Sequence, residues 1–216
     1  MAMLEVRHLN AGYGRAQVLF DLELELRAGE VAVLAGRNGA GKSTALKAIM
    51  GLVEPSSGEV RFQGRRIERL EPFEIARLGL GYVPEERRIF TGLTVAENLE
   101  VGRRSPRPGV PAWTMERVFA LFPNLAGMLE RPGSRMSGGE QKMLAIARTL
   151  MGNPAAILLD EPSEGLAPVV VRQMAEAVRD LKRAGLSVLL CEQNPRFAGD
   201  VADRVYRIEK GQVSAP

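Results

Sequence analysis

One cysteine and one histidine stand among 216 residues. Cys191 on its own cannot form an internal disulfide, which fits a reducing cytosol better than a cross-linked secreted scaffold. His8 is the only imidazole, so any role that needs one falls to it or goes unfilled. No apolar run approaches the length of a membrane span, and the opening MAMLEVRHLN lacks the apolar core of a signal peptide. A strong charge excess is also missing: 29 Lys and Arg against 26 Asp and Glu leave +3, too little to argue for a nucleic-acid partner. What is present is ordinary for a globular chain, with 45% hydrophobic and 25% charged residues. The length suffices for one domain with a real core, in one or two lobes.

The segment FDLELELR (20–27) alternates strictly and predicts a half-buried strand with Phe20, Leu22, Leu24 and Leu26 on the inner face. VAVLAG (31–36), AAILLD (155–160) and LSVLLC (186–191) are continuous apolar runs, which suit parallel strands covered on both sides. Helical periodicity fills 42–51, 140–151 and 169–185. Strands alternating with helices predict an α/β fold with a mostly parallel sheet. From about Arg87 to Met151 no buried strand stands out. TVAENLEVG and TMERVFALF predict short helices, joined by the basic, proline-rich loop RRSPRPGVPAW (103–113). This stretch reads as a helical lobe inserted into the α/β core.

GRNGAGKST (36–44) fits G-x-x-x-x-G-K-[ST], following an apolar strand and opening a helix, as that motif requires. Its glycines let backbone N–H groups curl around phosphate oxygens, and the helix start adds positive potential. The binding positions are Gly36, Asn38, Gly39, Ala40, Gly41, Lys42, Ser43 and Thr44. Lys42 is expected to reach the β- and γ-phosphates and Ser43 to ligate Mg²⁺. ILLDEP supplies a partner. Asp160 ends a buried strand at the sheet edge where ligands bind, and is expected to hold Mg²⁺. Glu161 beside it is a candidate base for the attacking water, a role worth ~10²–10⁴-fold. Tyr13, between Gly12 and Gly14, either stacks on a base or covers the sheet edge as a turn residue. No N-K-x-D guanine-reading motif occurs, so ATP is preferred over GTP.

In RMSGGEQKM (135–143), Ser137 and Glu140 form S-x-x-E, a capping box. Met143, Leu144, Ala147, Leu150 and Met151 then share a helical face. A cap needs no glycines, and Gly138 and Gly139 cost about 1 kcal/mol each against alanine. They leave N–H groups bare at a positive helix end, an anion-binding surface. The chain already has one phosphate loop, so this second surface could serve a phosphate held by another molecule.

GRNGAGKST, then MSGGEQ, then ILLDEP, in this order, resembles the nucleotide-binding subunits of ABC transporters, over essentially the whole chain. The resemblance implies a P-loop NTPase: a RecA-like mixed-sheet core (1–86 and 152–216) with an inserted α-helical subdomain (87–151). It implies two subunits head to tail, with Ser137, Gly138 and Gly139 of one meeting the γ-phosphate bound by the other. The subunit would lie on the cytoplasmic face of the cell membrane, docked to permease subunits and served indirectly by a solute-binding protein, with no nucleic-acid partner. GYVPEERRIFTGLTVAENL (81–99), DEPSEGLAP (160–168) and CEQN (191–194) look like the ATPase subunits of branched-chain amino acid importers.

Three positions depart from the general family pattern. Glu85 stands where a glutamine that senses Mg²⁺ is usual; it can ligate the metal, or lie in a solvated charged loop. Ala167 replaces an aspartate. Gln193 replaces the switch histidine, keeping an N–H donor for the γ-phosphate that cannot titrate. Residues 85–91, with Phe90 as an apolar anchor, are the candidate permease contact, although a phenylalanine is more often core. Arg103, Arg104 and Arg107 belong to a solvated loop or approach lipid headgroups. Three other classes compete. A urea or amide importer would use a similar subunit; a soluble clamp on DNA or ribosomes would carry coiled-coil insertions or tandem domains; a P-loop kinase would not need the second glycine surface.

Overall fold

The computed structural model describes residues 2–108 and 112–214. The continuous apolar runs become the centre of a six-stranded sheet. Its strands are β3 (Val31–Ala35), β6 (Leu80–Val83), β7 (Ala156–Asp160), β8 (Ser187–Glu192), β9 (Arg204–Glu209) and β10 (Gln212–Ser214). Their spatial order is β10-β9-β3-β8-β7-β6, parallel throughout except for the β9–β10 hairpin. Adjacent residues of each central strand serve opposite layers. Val31, Val33, Ile157, Leu159, Val188 and Leu190 face one apolar cluster, while Ala32, Leu34, Ala156, Leu158, Leu189 and Cys191 face another. Covering on both faces explains why these strands carry no polar alternation.

The first cluster is completed by α3 (Val95–Gly102), α4 (Met115–Leu121), α5 (Pro123–Ala126), α6 (Gly138–Leu150), α7 (Pro168–Arg183) and α8 (Pro195–Val201). α3, α4 and α6 are each capped by a Ser or Thr side chain. Lys142 to Ala147 are all buried, so α6 runs through the interior instead of showing a single inner face. The second cluster holds α1 (Lys42–Ile49) and α2 (Pro72–Leu78).

A second sheet also covers that face. Strands β1 (Ala2–Tyr13), β2 (Ala16–Arg27), β4 (Pro55–Phe62) and β5 (Arg65–Arg66) pair antiparallel in the order β2-β1-β4-β5. Sequence periodicity anticipated only β2 of these. A bulge changes the inner face of β2. His8 and Asp21, both at φ 51°, sit where the β1–β2 register shifts. One αL residue moves the pattern by a position. Leu19 is therefore buried and Phe20 is 40% exposed, correcting the inward assignment of Phe20. Leu22, Leu24 and Leu26 are buried as expected.

The 103–113 loop is only partly solvated. Residues 109–111 lie outside the described residues. Arg107 donates to the carbonyls of Arg77 (2.7 Å) and Ala76 (3.2 Å) at the end of α2, and to Asn153 (2.8 Å). It caps a helix C-terminus, where carbonyls lack partners. That use of Arg107 is neither of the two expected. Phe90 is 48% exposed, with the Arg148 guanidinium 4.8 Å from its ring centroid, so it is not core. Among the described residues no helix is long and apolar enough to cross a membrane.

Candidate functional site

The 36–41 loop joins β3 to α1 at the C-terminal edge of the sheet. Gly41 adopts φ 108°, a conformation closed to ordinary side chains, and turns the chain into α1. Lys42, the first residue of that helix, is 3% exposed. Its ammonium donates to the carbonyls of Gly36 (2.8 Å) and Arg37 (3.0 Å) and pairs with Glu161 Oε1 at 3.0 Å. Next to it, Ser43 Oγ donates to Asp160 Oδ1 at 2.9 Å. Four residues from motifs more than a hundred positions apart thus meet at the C-terminal ends of β3 and β7, which flank β8.

Asp160 is buried at the end of β7, and burial pushes its carboxyl up; the charges of Glu161 and Glu85 add to this and the Ser43 bond opposes it. Tyr82, on the neighbouring β6, donates to Asp160 Oδ2 at 3.4 Å, and burial beside Asp160 holds its phenol firmly neutral. Glu161 takes the rare φ of 47°, with its N–H bonded to the Cys191 carbonyl at 3.1 Å. Glu164 is drawn up to about 7 by its hydrogen bond with Glu161, then by burial and the Glu161 charge.

A cavity of about 400 Å³ opens here, lined by Asn38, Lys42, Ser43, Glu85, Glu161 and Glu164. A second, of about 450 Å³, shares Asn38, Glu161 and Glu164 and adds Glu192 and Gln193. Glu85 and Gln193 therefore stand beside the phosphate loop, although both side chains are exposed. The buried Glu192 carboxylate accepts from the backbone N–H groups of Gln193 (3.0 Å), Asn194 (3.1 Å) and Ser163 (3.4 Å), joining the two loops. Tyr13, 51% exposed, is the last residue of β1 before the turn to β2, and Val18, not Tyr13, lines the first cavity.

The hydroxyl of Ser43 and the carboxylates of Asp160 and Glu85 are hard oxygen donors, the chemistry Mg²⁺ takes. Among the described residues no cluster of three or more His, Cys, Asp or Glu forms a metal cage. That donor set fits a cation shared with substrate phosphates and water.

At the start of α6 the capping box is complete: Ser137 N donates to Glu140 Oε2 (2.7 Å) and Glu140 N to Ser137 Oγ (3.4 Å). The two glycines have a packing reason as well. A Cβ on Gly138 would lie 2.9 Å from the Arg87 guanidinium, and one on Gly139 would lie 2.8 Å from Val170 Cγ1. None of Ser137, Gly138 or Gly139 lines either cavity, so within one chain this surface does not complete the phosphate site.

Sequence inspection missed Tyr82, Glu164, Glu192 and Lys142. Lys142 is 2% exposed and donates from α6 to the Glu161 carbonyl. The available signals were a charged residue inside an apolar helical run, and carboxylates within DEPSEG and CEQN.

The ABC transporter family matches residues 19–164. The high-affinity branched-chain amino acid transport ATP-binding protein BraG of Pseudomonas aeruginosa is 42% identical over 211 residues, 98% of this chain and 91% of its own length. The lipopolysaccharide export system ATP-binding protein LptB of Haemophilus influenzae is 35% identical, over 100% of this chain and 90% of its own. A nucleotide-free ATP-binding cassette from an ABC transporter superposes with a TM-score of 0.85 at 27% identity, over 100% of this chain and 90% of that one. Agreement of this extent, over a fold that brings the phosphate loop to the acidic end of β7, settles the family: the chain belongs to the ABC transporters, as an ATP-binding subunit that hydrolyses ATP.

Proposed function

We propose that this ATPase powers an importer of branched-chain amino acids. Two copies, or this chain and a related one, close head to tail on ATP and release after hydrolysis. Residues 1–86 and 152–216 would form the nucleotide-binding core and 87–151 the lobe that presents α6. The observation that carries this reading is the incomplete site: Lys42, Ser43, Asp160 and Glu161 meet in one chain, while Ser137, Gly138 and Gly139 stand outside the cavity. A phosphate walled on one side calls for a second wall. Bound nucleotide then converts binding energy into closure.

In this mechanism Lys42 exchanges Glu161 for β- and γ-phosphate oxygens, cradled by the N–H groups of Gly36 to Thr44. Glu161 is then free to accept a hydrogen bond from the attacking water and polarise it. Mg²⁺, held by Ser43 and Asp160 with Glu85 nearby, would supply charge neutralisation at the phosphates. Gln193 would donate to the γ-phosphate without titrating, and Tyr13 would stack on adenine. Permease subunits would dock on 85–91, where Phe90 is exposed, on the cytoplasmic face of the membrane, with a solute-binding protein acting at a distance.

The substrate rests on likeness to BraG, at 42% identity. Lipopolysaccharide export is the second reading, because the LptB relatives also span the whole chain. Co-purification with its membrane partners separates the two. Recovery with importer permeases supports the first, and with lipopolysaccharide exporter subunits the second. Glu161→Gln should bind ATP, hydrolyse it slowly and accumulate as a dimer by sedimentation; a variant that stays monomeric in saturating ATP and Mg²⁺ rules out the closure mechanism.

A further inference from the structure

Lys142 carries an ammonium into a place where only bonded charge is tolerated. It lies five residues after the Ser137 cap, 2% exposed, and donates to the main-chain carbonyl of Glu161. The carboxylates of Glu164, Glu192 and Glu85 attract it, while the Arg87 guanidinium repels it. The acceptor is unusual. Glu161 holds φ 47°, a strained setting for a residue with a side chain. Its N–H is tied to the Cys191 carbonyl on β8 at 3.1 Å, and its C=O is tied to Lys142 on α6. The two peptide groups that flank the Glu161 Cα, and so set the direction of its carboxylate, are therefore held from two different elements.

One clamp belongs to β8, which pairs directly with β3, the strand that leads into the phosphate loop. The other belongs to the helix whose first turn carries Ser137, Gly138 and Gly139. An α-helix rises about 1.5 Å per residue, so the Ser137 cap and the backbone of Lys142 are roughly 7.5 Å apart along one helix. A shift of that helix at its cap is felt at the Glu161 carbonyl.

We propose that Lys142 is a positioning residue: it aligns Glu161 for water activation and makes that alignment depend on the seating of α6 against the nucleotide held by the other copy. This rests on the proposed role of Glu161 and on the two-copy site. Each hydrolytic centre then responds to occupancy of its neighbour through six residues of its own helix.

The test compares Lys142→Met, which keeps the unbranched apolar stem and loses the donor, with Lys142→Arg, which keeps charge and donors. K142M should lower kcat roughly 10- to 100-fold, the scale of an ångström-sized misplacement. KM for ATP and ATP-dependent dimerisation should stay near the parent values, and the Hill coefficient for ATP should fall towards 1. K142R should recover most of kcat and the cooperativity. Parent-like kcat and Hill coefficient in K142M overturn the proposal. So does a parallel fall of kcat, ATP affinity and melting temperature, which would make Lys142 merely structural. If K142M cannot be purified folded, Lys142→Gln is judged by the same criteria. Glu161→Gln, run alongside, separates the two ideas. Full turnover in E161Q removes the role of Glu161 itself; a slow E161Q with an unaltered K142M removes only the positioning by Lys142.

Discussion

The pair Lys42–Glu161 shows how one residue can be committed twice. Both partners are buried, at 3% and 5% exposure, so neither charge is tolerable without the other. Removing one partner of such a pair typically costs ~3–5 kcal/mol. Lys42→Ala should therefore lose most ATP binding or turnover and also lower the urea midpoint of the nucleotide-free protein. Adding Glu161→Gln should restore part of that stability but none of the activity. Glu164 carries a pH signature. Its folded value lies near 7, above the ordinary 4.5, so folding takes up a proton. The stabilisation is complete below about 4.5 and is lost as pH rises through about 7. The urea midpoint should drop less between pH 5 and pH 8 in Glu164→Gln than in the parent. No imidazole limb is expected in the pH–rate profile, because His8, the sole histidine, is engaged with Asp21 at 2.7 Å in the antiparallel sheet.

At the scale of an element, α6 carries two demands at its first turn. The glycines let Arg87 and Val170 approach, and in the proposed two-copy site they also present N–H groups to phosphate. The two demands separate by mutation. A Cβ at Gly138 meets the flexible end of an arginine, which can swing aside, so Gly138→Ala should change the melting temperature little. At Gly139 it meets a packed valine, and overpacking of this kind costs ~1–3 kcal/mol. Gly139→Ala should therefore melt measurably lower, while both variants lose ATP turnover if the N–H surface is used. The capping box and the helical period were legible in the sequence because they are local. The burial of α6 on several faces was not, because it depends on which layers the helix passes between.

For the whole molecule, the question is whether one copy suffices. Ser137→Arg should leave ATP binding to the monomer nearly intact and stop hydrolysis, since the bulk falls on a surface outside the Lys42 cavity. A nucleotide-binding titration beside a turnover assay checks both halves. Steady turnover in S137R would mean the second wall is unnecessary. The first apolar cluster alone joins the helical segment to the sheet, so α6 and β7, the strand that ends in Asp160, share one packed interior.

The amino-acid order alone determined the class of fold, the phosphate loop and the acidic strand end. These are written in short-range patterns: apolar runs long enough for a covered strand, glycine spacing before a lysine, a carboxylate where a strand stops. Tertiary structure alone decided which distant groups meet. The bulge at His8 and Asp21 turned Phe20 outward, Arg107 became the cap of α2, and Lys142 reached the Glu161 carbonyl. Each of these depends on how separate layers stack and register, and no window of neighbouring residues contains that information.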